Sequence, residues 1–346
     1  MSRPTLAVLS CGGTIAAEPE EGGAAPAKSG SQLLDAVPAL EGRADYRTRE
    51  VCSRPGFDMR WRDVLETAGL ARDVAEGASD EPVDGVVVTH GTDTLADTAY
   101  ALELLGDLSA PVVVTGAQRR LDEPSSDAPA NLVTAVRAAA DDRFAPGVHV
   151  AFDQELHAAR DVVKAHTNAL DTFQSPGKGP VATFSRGDVR IHRRPERRVV
   201  VPPLDGVDPG SVPRVPIVHS GTGVGSGWLE RIGDVGDVGD AGDVGDGGNP
   251  GGDRAPGGVV VEGTGLGNVT AALGEEIASL ASEIPVVVGS RCHAGTTEPV
   301  YGTDGGAVTL ERAGVAFAGD LPTSKARVKL AVGLAAGLDV DRLFPA

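Results

Sequence analysis

Cysteine is scarce. The 346 residues hold three, Cys11, Cys52 and Cys292, widely spaced and without a Cys-x-x-Cys. That argues against a disulfide framework and against a structural zinc site. Long apolar runs are missing too: none approaches the ~20 residues needed to span a bilayer. The opening Met1-Ser2-Arg3-Pro4-Thr5-Leu6 has no extended apolar core and no cleavage pattern after it. The expectation is a protein without a secretion signal, held in the cytoplasm. Positive charge is short, with 31 Lys and Arg against 49 Asp and Glu, a net charge of −18. Nucleic acid and anionic membrane are therefore poor partners, because their phosphates would be repelled.

What is present is an ordinary globular composition, 41% hydrophobic and rich in Ala, Val and Gly. The length suggests two domains with ample core. One stretch organises the rest. Val86-Val87-Val88 runs into Thr89-His90-Gly91-Thr92-Asp93-Thr94, and Leu95 to Leu105 follows with helical spacing. This reads as a buried strand, a sharp turn and a helix. In open parallel sheets, ligands bind where strands end. Thr92 and Asp93 sit there; equally, either could simply cap the helix.

Leu6 to Leu9 is the expected first strand, ending in Cys11-Gly12-Gly13-Thr14-Ile15-Ala16. The paired glycines admit backbone angles closed to other residues and let a ligand approach the main chain. No Gly-Lys-Ser/Thr follows, so this is not a phosphate loop. Glu18 to Ser31 looks unpackable and reads as a lid or as disorder, its place beside Thr14 favouring the lid. Leu33 to Leu40 has helical spacing. Tyr46 to Val51 reads as an edge strand, Arg54 to Met59 as a turn, and Trp61 to Ala75 as an amphipathic helix with Trp61 in the core.

Pro111 to Val114 is another strand, ending in Thr115-Gly116-Ala117-Gln118-Arg119. Ser125-Ser126-Asp127 offers caps for a helix over Ala130 to Ala140. Val148 to Phe152 turns through Asp153-Gln154-Glu155 in a hairpin pattern, with Lys164 beyond it. A lysine in that place is most often solvated. Arg193 to Pro216 has the Arg and Pro content of a linker. A second α/β region follows, with strands at 215–218, 259–261 and 285–288 and helices at 268–280 and 324–338. The Gly-Asp-Val/Ala triplets from Gly233 onward fit neither an EF-hand nor a nine-residue calcium repeat, and read as a disordered insertion. The expected organisation is a catalytic domain over 1–192, a linker over 193–214 and a smaller domain over 215–346, with the insertion near 233–258.

The fold class is α/β, with a larger, mainly parallel N-terminal sheet flanked by helices and a smaller C-terminal α/β domain. Parallel strands would bring Thr14, Thr92 and Asp93 to one crevice, with the Lys164 ammonium as a fourth candidate. Such a set suits attack on a carbonyl or amide. A hydroxyl is a weak nucleophile without a base, a lysine of lowered pKa can serve, a carboxylate can orient it, and loop amides can hold an oxyanion.

This constellation resembles the bacterial-type L-asparaginase family. The resemblance rests on Gly12-Gly13-Thr14-Ile15-Ala16, His90-Gly91-Thr92-Asp93-Thr94 and Asp161-Val162-Val163-Lys164. Gly116 to Arg119, Ser126 to Leu132, Thr172 to Pro176, Gly263 to Asn268 and Ser290-Arg291 support it. It implies hydrolysis of the asparagine side-chain amide, with Thr14 as nucleophile and an acyl-enzyme intermediate. Thr92, Asp93 and Lys164 would form a second triad. Asp93 would also hold the substrate's α-ammonium group, and the backbone at Thr92 and Ala117 would polarise the amide. The substrate is a small amide; no metal and no cofactor is implied. A homodimer or homotetramer is, with a neighbour's second domain completing each site. Departures are visible. Glu18 to Ser31 has no tyrosine, the pair that holds the substrate carboxylate falls on Gly56-Phe57, and the second-domain asparagine falls on Leu266, two before Asn268. Glu298 is the nearest counterpart of the acid that crosses the interface.

Three other readings stand beside this one. Glutamine or another small amide could be the substrate. The chain could be a non-catalytic amino-acid sensor on the same fold. Gly263-Thr264-Gly265-Leu266-Gly267, followed by Arg291, could bind a dinucleotide, although the spacing is GxGxG rather than GxGxxG.

Overall fold

The computed structural model describes residues 3–20, 22–78, 81–106, 108–195, 207–225, 227, 229 and 255–345. The chain divides into two compact units, Met1–Leu204 and Asp205–Ala346. No helix among the described residues is long and apolar enough to cross a membrane.

The first unit is built on an eight-stranded sheet. Its strands include β1 (Thr5–Gly12), β4 (Asp45–Arg54), β5 (Gly85–Thr89), β6 (Pro111–Thr115), β7 (Gly147–Phe152) and β8 (Glu155–Ala158); β11 (Ala182–Phe184) and β12 (Val189–Ile191) complete it. The order across the sheet is β12-β11-β8-β7-β6-β5-β1-β4. From β4 to β7 every neighbour is parallel; β8, β11 and β12 run antiparallel at the far end. The Val86–Val88 and Val112–Val114 runs are buried, as a doubly covered parallel strand requires. Helix α2 (Trp61–Glu76) packs beside α3 (Leu95–Leu105). Helices α1 (Gly30–Asp35) and α4 (Ala128–Ala139) share the other core, where Leu33, Leu132, Val8 and Val87 meet. The chain leaves β1 toward one edge and returns to β5 on its other side. The strand order therefore reverses between β1 and β5, where parallel α/β sheets hold their ligands.

Most expected elements are present, and α3 has the expected bounds. Three expectations need correction. The segment read as lid or disorder carries regular structure while packing little: β2 (Ala17–Glu20) and β3 (Gly23–Pro26) form an antiparallel hairpin, and Ser29 caps α1 through a capping box with Gln32. Backbone bonds from Ala27 and Lys28 to the Ala16 carbonyl, both 2.9 Å, root the hairpin, and Lys28 pairs with Glu18. The helix expected over 33–40 starts three residues earlier and ends at Asp35, and a 3-10 turn over Pro38–Leu40 follows, because Pro38 cannot extend it. Trp61 opens α2 and is only half-buried; Val64, Leu65, Ala68 and Ala71 bury the helix instead.

The second unit has four parallel strands, β13 (Ile217–His219), β14 (Val259–Gly263), β15 (Val286–Ser290) and β16 (Ala316–Phe317), in that order. Helices over Ala271–Leu280 and Thr323–Ala335 flank it. The Gly-Asp triplets lie outside the described residues, as does the middle of the expected linker.

Candidate active site

The site is assembled by three glycines. β1 ends at Gly12 and Gly13 follows, both with positive φ (82° and 83°), and the Gly13 amide donates to the Arg54 carbonyl at 2.9 Å. A Cβ on Gly13 would lie 2.3 Å from the Gly91 Cα, and one on Gly91 would lie 2.4 Å from the Gly56 nitrogen. No side chain fits there, so the loops after β1, β4 and β5 meet backbone to backbone. Thr14 follows Gly13 directly and opens a 3-10 turn over Thr14–Ala16, half-buried. Gly116 completes the floor: a Cβ there would lie 2.5 Å from the His90 carbonyl oxygen and 3.4 Å from Thr92 Cγ2. Buried Ala117 therefore belongs to the loop beside Thr92.

The helix after β5 is capped by neither Thr92 nor Asp93. Its N-cap is Thr94, whose hydroxyl is turned away to donate to the Gly56 carbonyl at 2.6 Å. That leaves the preceding two side chains for Lys164. The Lys164 Nζ donates to Thr92 Oγ1 at 2.9 Å and to Asp93 Oδ1 at 2.7 Å. Thr92 is buried and the Lys164 side chain is 17% exposed, so the ammonium is inserted rather than solvated. The Asp93 side chain is 51% exposed and keeps a face toward solvent. Among the described residues, no hydrogen bond joins the Thr14 hydroxyl to these three; Thr14 reaches their neighbourhood through the Gly13–Gly91 contact.

Lys164 is held from behind. It lies in β9 (Val163–Lys164), paired with β10 (Phe173–Gln174), and the Ala165 amide bonds the Thr172 carbonyl at 2.7 Å. Three residues earlier, buried Asp161 takes Lys178 at 2.9 Å, Arg193 at 2.9 Å and Arg160 at 3.2 Å. Burial pushes the Asp161 carboxyl up, but the hydrogen bond from Lys178 and the three positive charges outweigh it and hold it below its ordinary value. On the Ala117 side, Asp127 accepts from the amides of Gln118 (3.0 Å) and Arg119 (2.9 Å), and Asn131 donates to the Gly116 carbonyl at 3.0 Å. His90 is fully buried; its Nδ1 donates to the Gly91 carbonyl at 2.7 Å, and burial lowers its pKa to about 4. The loop thus carries a neutral imidazole.

The sequence pattern marked Asp161 only as part of a motif and Asp127 only as a cap. It missed Arg54, whose carbonyl anchors Gly13 and whose guanidinium pairs with buried Asp63 at 2.9 Å. Gly56 is buried against Gly91, but the Phe57 side chain is 76% exposed.

In the second unit the glycine loop is closed on itself. Thr264 and Asn268 exchange backbone bonds of 2.7 and 3.0 Å, and the Asn268 side-chain carbonyl takes the Ala307 amide at 3.1 Å. The next helix begins only at Ala271, capped by Thr270. The glycines therefore do not open onto a helix N-terminus, which a pyrophosphate site needs. Ser290 donates to the Gly265 carbonyl at 2.6 Å, and Glu298 is exposed.

Comparison with known proteins agrees with this architecture. Residues 5–197 match the family model for the asparaginase N-terminal domain, and residues 253–344 match that for the glutaminase/asparaginase C-terminal domain. A probable L-asparaginase of Deinococcus radiodurans is 34% identical over 99% of this chain and 98% of its own length. A probable periplasmic L-asparaginase of Haemophilus influenzae is 32% identical over 96% of this chain and 88% of its own. A glutamyl-tRNA(Gln) amidotransferase component of Halobacterium salinarum is 33% identical over 96% of this chain and 75% of its own. With both of its domain models matched in order and relatives aligned almost end to end, the chain belongs to the asparaginase family of amidohydrolases.

Proposed function

We propose that the protein hydrolyses the side-chain amide of L-asparagine to L-aspartate and ammonia. The observation that carries this reading is the bonding of Lys164 to both Thr92 and Asp93 beside the Gly13–Gly91 contact. Thr14 Oγ attacks the carboxamide carbon, and the backbone amides at Thr92 and Ala117 stabilise the oxyanion. The proton lost by the Thr14 hydroxyl ends on the amide nitrogen, the C–N bond breaks, and ammonia leaves a threonyl ester. Water then attacks the ester, Lys164 and Thr92 relaying its proton, and aspartate is released. The exposed face of Asp93 receives the substrate's α-ammonium group, and the Gly56 backbone receives its α-carboxylate.

Hydrolysis of glutamine or another small amide is the second reading. Phe57, whose exposed ring offers no hydrogen bond to a carboxylate, favours those amides that lack an α-carboxylate over asparagine and glutamine alike. The retained hydroxyl–carboxylate–ammonium set weighs against a non-catalytic sensor. We further read the protein as a cytoplasmic homodimer or homotetramer, which light scattering on the purified chain tests.

The deciding experiment is an ammonia-release screen over asparagine, glutamine and other small carboxamides at neutral pH. Wild type, Thr14→Ala and Lys164→Met are compared. Asparagine turnover lost in both variants supports the assignment. Ammonia release near the wild-type rate from either folded variant refutes it.

A further inference from the structure

We infer that Cys11 and Cys52 are a modification site: a dithiol that closes to a reversible disulfide at the root of the Thr14 loop. The chain carries them 41 residues apart, yet parallel pairing of β1 with β4 brings them side by side. Ser10 pairs with Glu50 and Gly12 with Arg54, so Cys11 alone faces Val51, Cys52 and Ser53 across an irregularity in register. Neighbouring strands lie about 4.8 Å apart, within the roughly 4.4–6.8 Å that a disulfide spans between Cα atoms. The Cys52 thiol donates to the Cys11 carbonyl at 3.6 Å and also lies 4.0 Å from the Met59 sulfur. The Cys11 thiol, fully buried, faces the Thr67 hydroxyl at 3.5 Å. Thr67 spends its own proton on the Asp63 carbonyl at 2.7 Å, so Cys11 is the donor to it.

The two thiols differ in the way a reactive and a resolving cysteine differ. Cys52 is half-exposed, while Cys11 is sealed. Contact with Cys52, then burial, pushes the Cys11 thiol well up; contact with Cys11 draws the Cys52 thiol down. The thiolate is the species that a peroxide oxidises. The chemistry needs hydrogen peroxide as the oxidant. The Cys52 thiolate attacks one peroxide oxygen, the O–O bond breaks, and hydroxide leaves, giving a sulfenic acid. The Cys11 thiol then attacks that sulfur. The S–S bond forms, the S–O bond breaks, and water departs with the Cys11 proton. A dithiol reductant reverses the step by thiol–disulfide exchange.

Closure turns the Cys11 thiol from Thr67 and the Cys52 thiol from the Cys11 carbonyl and brings the two sulfurs to about 2.05 Å. The backbone that must yield has little slack. Cys11 adjoins Gly12, where a Cβ would lie 2.6 Å from the Arg54 nitrogen, and Arg54 also carries the Gly13 bond. Thr14 lies three residues after Cys11, within reach of that movement.

The full-length chain is reduced, treated with hydrogen peroxide, alkylated and mapped by mass spectrometry without reduction. The expected map joins the Cys11 and Cys52 peptides and leaves Cys292 alkylated. Ammonia release from the oxidised chain is expected to fall about a hundredfold, since a displacement of about 1 Å costs that much at a positioned nucleophile. Dithiothreitol restores it, and Cys52→Ser is unaffected by peroxide. Both thiols still alkylated after peroxide, or Cys52 carried to a sulfinic acid with Cys11 free, would overturn the site. A complete disulfide with unchanged ammonia release would overturn its coupling to the loop. The coupling rests on the proposed role of Thr14, but the peptide map does not. An oxidised map from a chain with no amide activity would therefore count against the proposed function and not against the disulfide.

Discussion

Lys164 Nζ stands 2.9 Å from Thr92 Oγ1, across 72 residues of chain. Here the ammonium donates to the hydroxyl, and passage of a proton from Thr92 to the amine would use the same contact in the reverse sense. Lys164→Met removes the proposed relay and keeps the aliphatic volume. Ammonia release should fall about 10²–10⁴-fold, the usual contribution of a general base, with the far-ultraviolet circular dichroism unchanged. Thr92→Val should fall in the same range, and the double variant should be no worse than the poorer single one, because both break one relay.

Asp161 is the fixed point behind that lysine. Its side chain is 5% exposed and faces three cations. Asp161→Ala leaves those cations without their shared carboxylate and should cost about 3 kcal/mol in urea unfolding. Ammonia release should drop as well, since the segment before Lys164 loses its clamp. A variant with wild-type stability and activity would show that the clamp is dispensable.

Gly91→Ala places a methyl group 2.4 Å from the Gly56 nitrogen and 3.2 Å from the Gly13 Cα. Backbone, not a flexible side chain, must give way. The expected result is a stability loss of about 1–3 kcal/mol together with loss of turnover, because the loops bearing Thr14 and Thr92 are pushed apart. Gly22→Ala, on the hairpin where nothing lies within 4 Å, has only the backbone strain of its φ of 102° and is the control for position-independent effects.

Acid should weaken the fold in a defined window. His90 and His157 are both held near 4 against an ordinary 6.5, in each case chiefly by burial. Between those values the unfolded chain binds protons that the folded chain refuses. Unfolding free energy therefore falls as pH drops from about 6.5 toward 4. The two groups together should cost a few kcal/mol by about pH 4.5, since each loses about 1.4 kcal/mol for every tenfold rise in acidity across the window. Urea midpoints measured across that range test this, and His157→Asn should flatten the slope.

The strands and α3 were legible because their signals are local. Val86–Val88 and Val112–Val114 are continuous β-branched runs, and Leu95 to Leu105 is an apolar stretch of helical length, buried nearly all round, between a polar turn and a glycine. The hairpin at 17–26 was not, because its ribbon buries almost nothing and its Gly, Ala, Glu and Pro content imitates disorder. That neither Thr92 nor Asp93 caps the helix was also closed to sequence, since the N-cap is Thr94, whose hydroxyl bonds to Gly56, 38 residues away. Asp161 and Arg54 were invisible as anchors for the same reason: their partners are distant in the chain and meet only through the fold.

The ribbon of β2 and β3 has one more implication. Its inter-strand ladder already exists in the free chain, and both its ends are rooted at the Ala16 carbonyl. A structureless segment that settled over a substrate would lose its chain entropy at that moment, roughly 1–2 kcal/mol for each residue fixed. A preassembled arm pivoting on two roots gives up almost none. Closure of such an arm over a substrate would therefore draw little on the binding free energy for ordering the chain, in contrast to closure of a structureless loop.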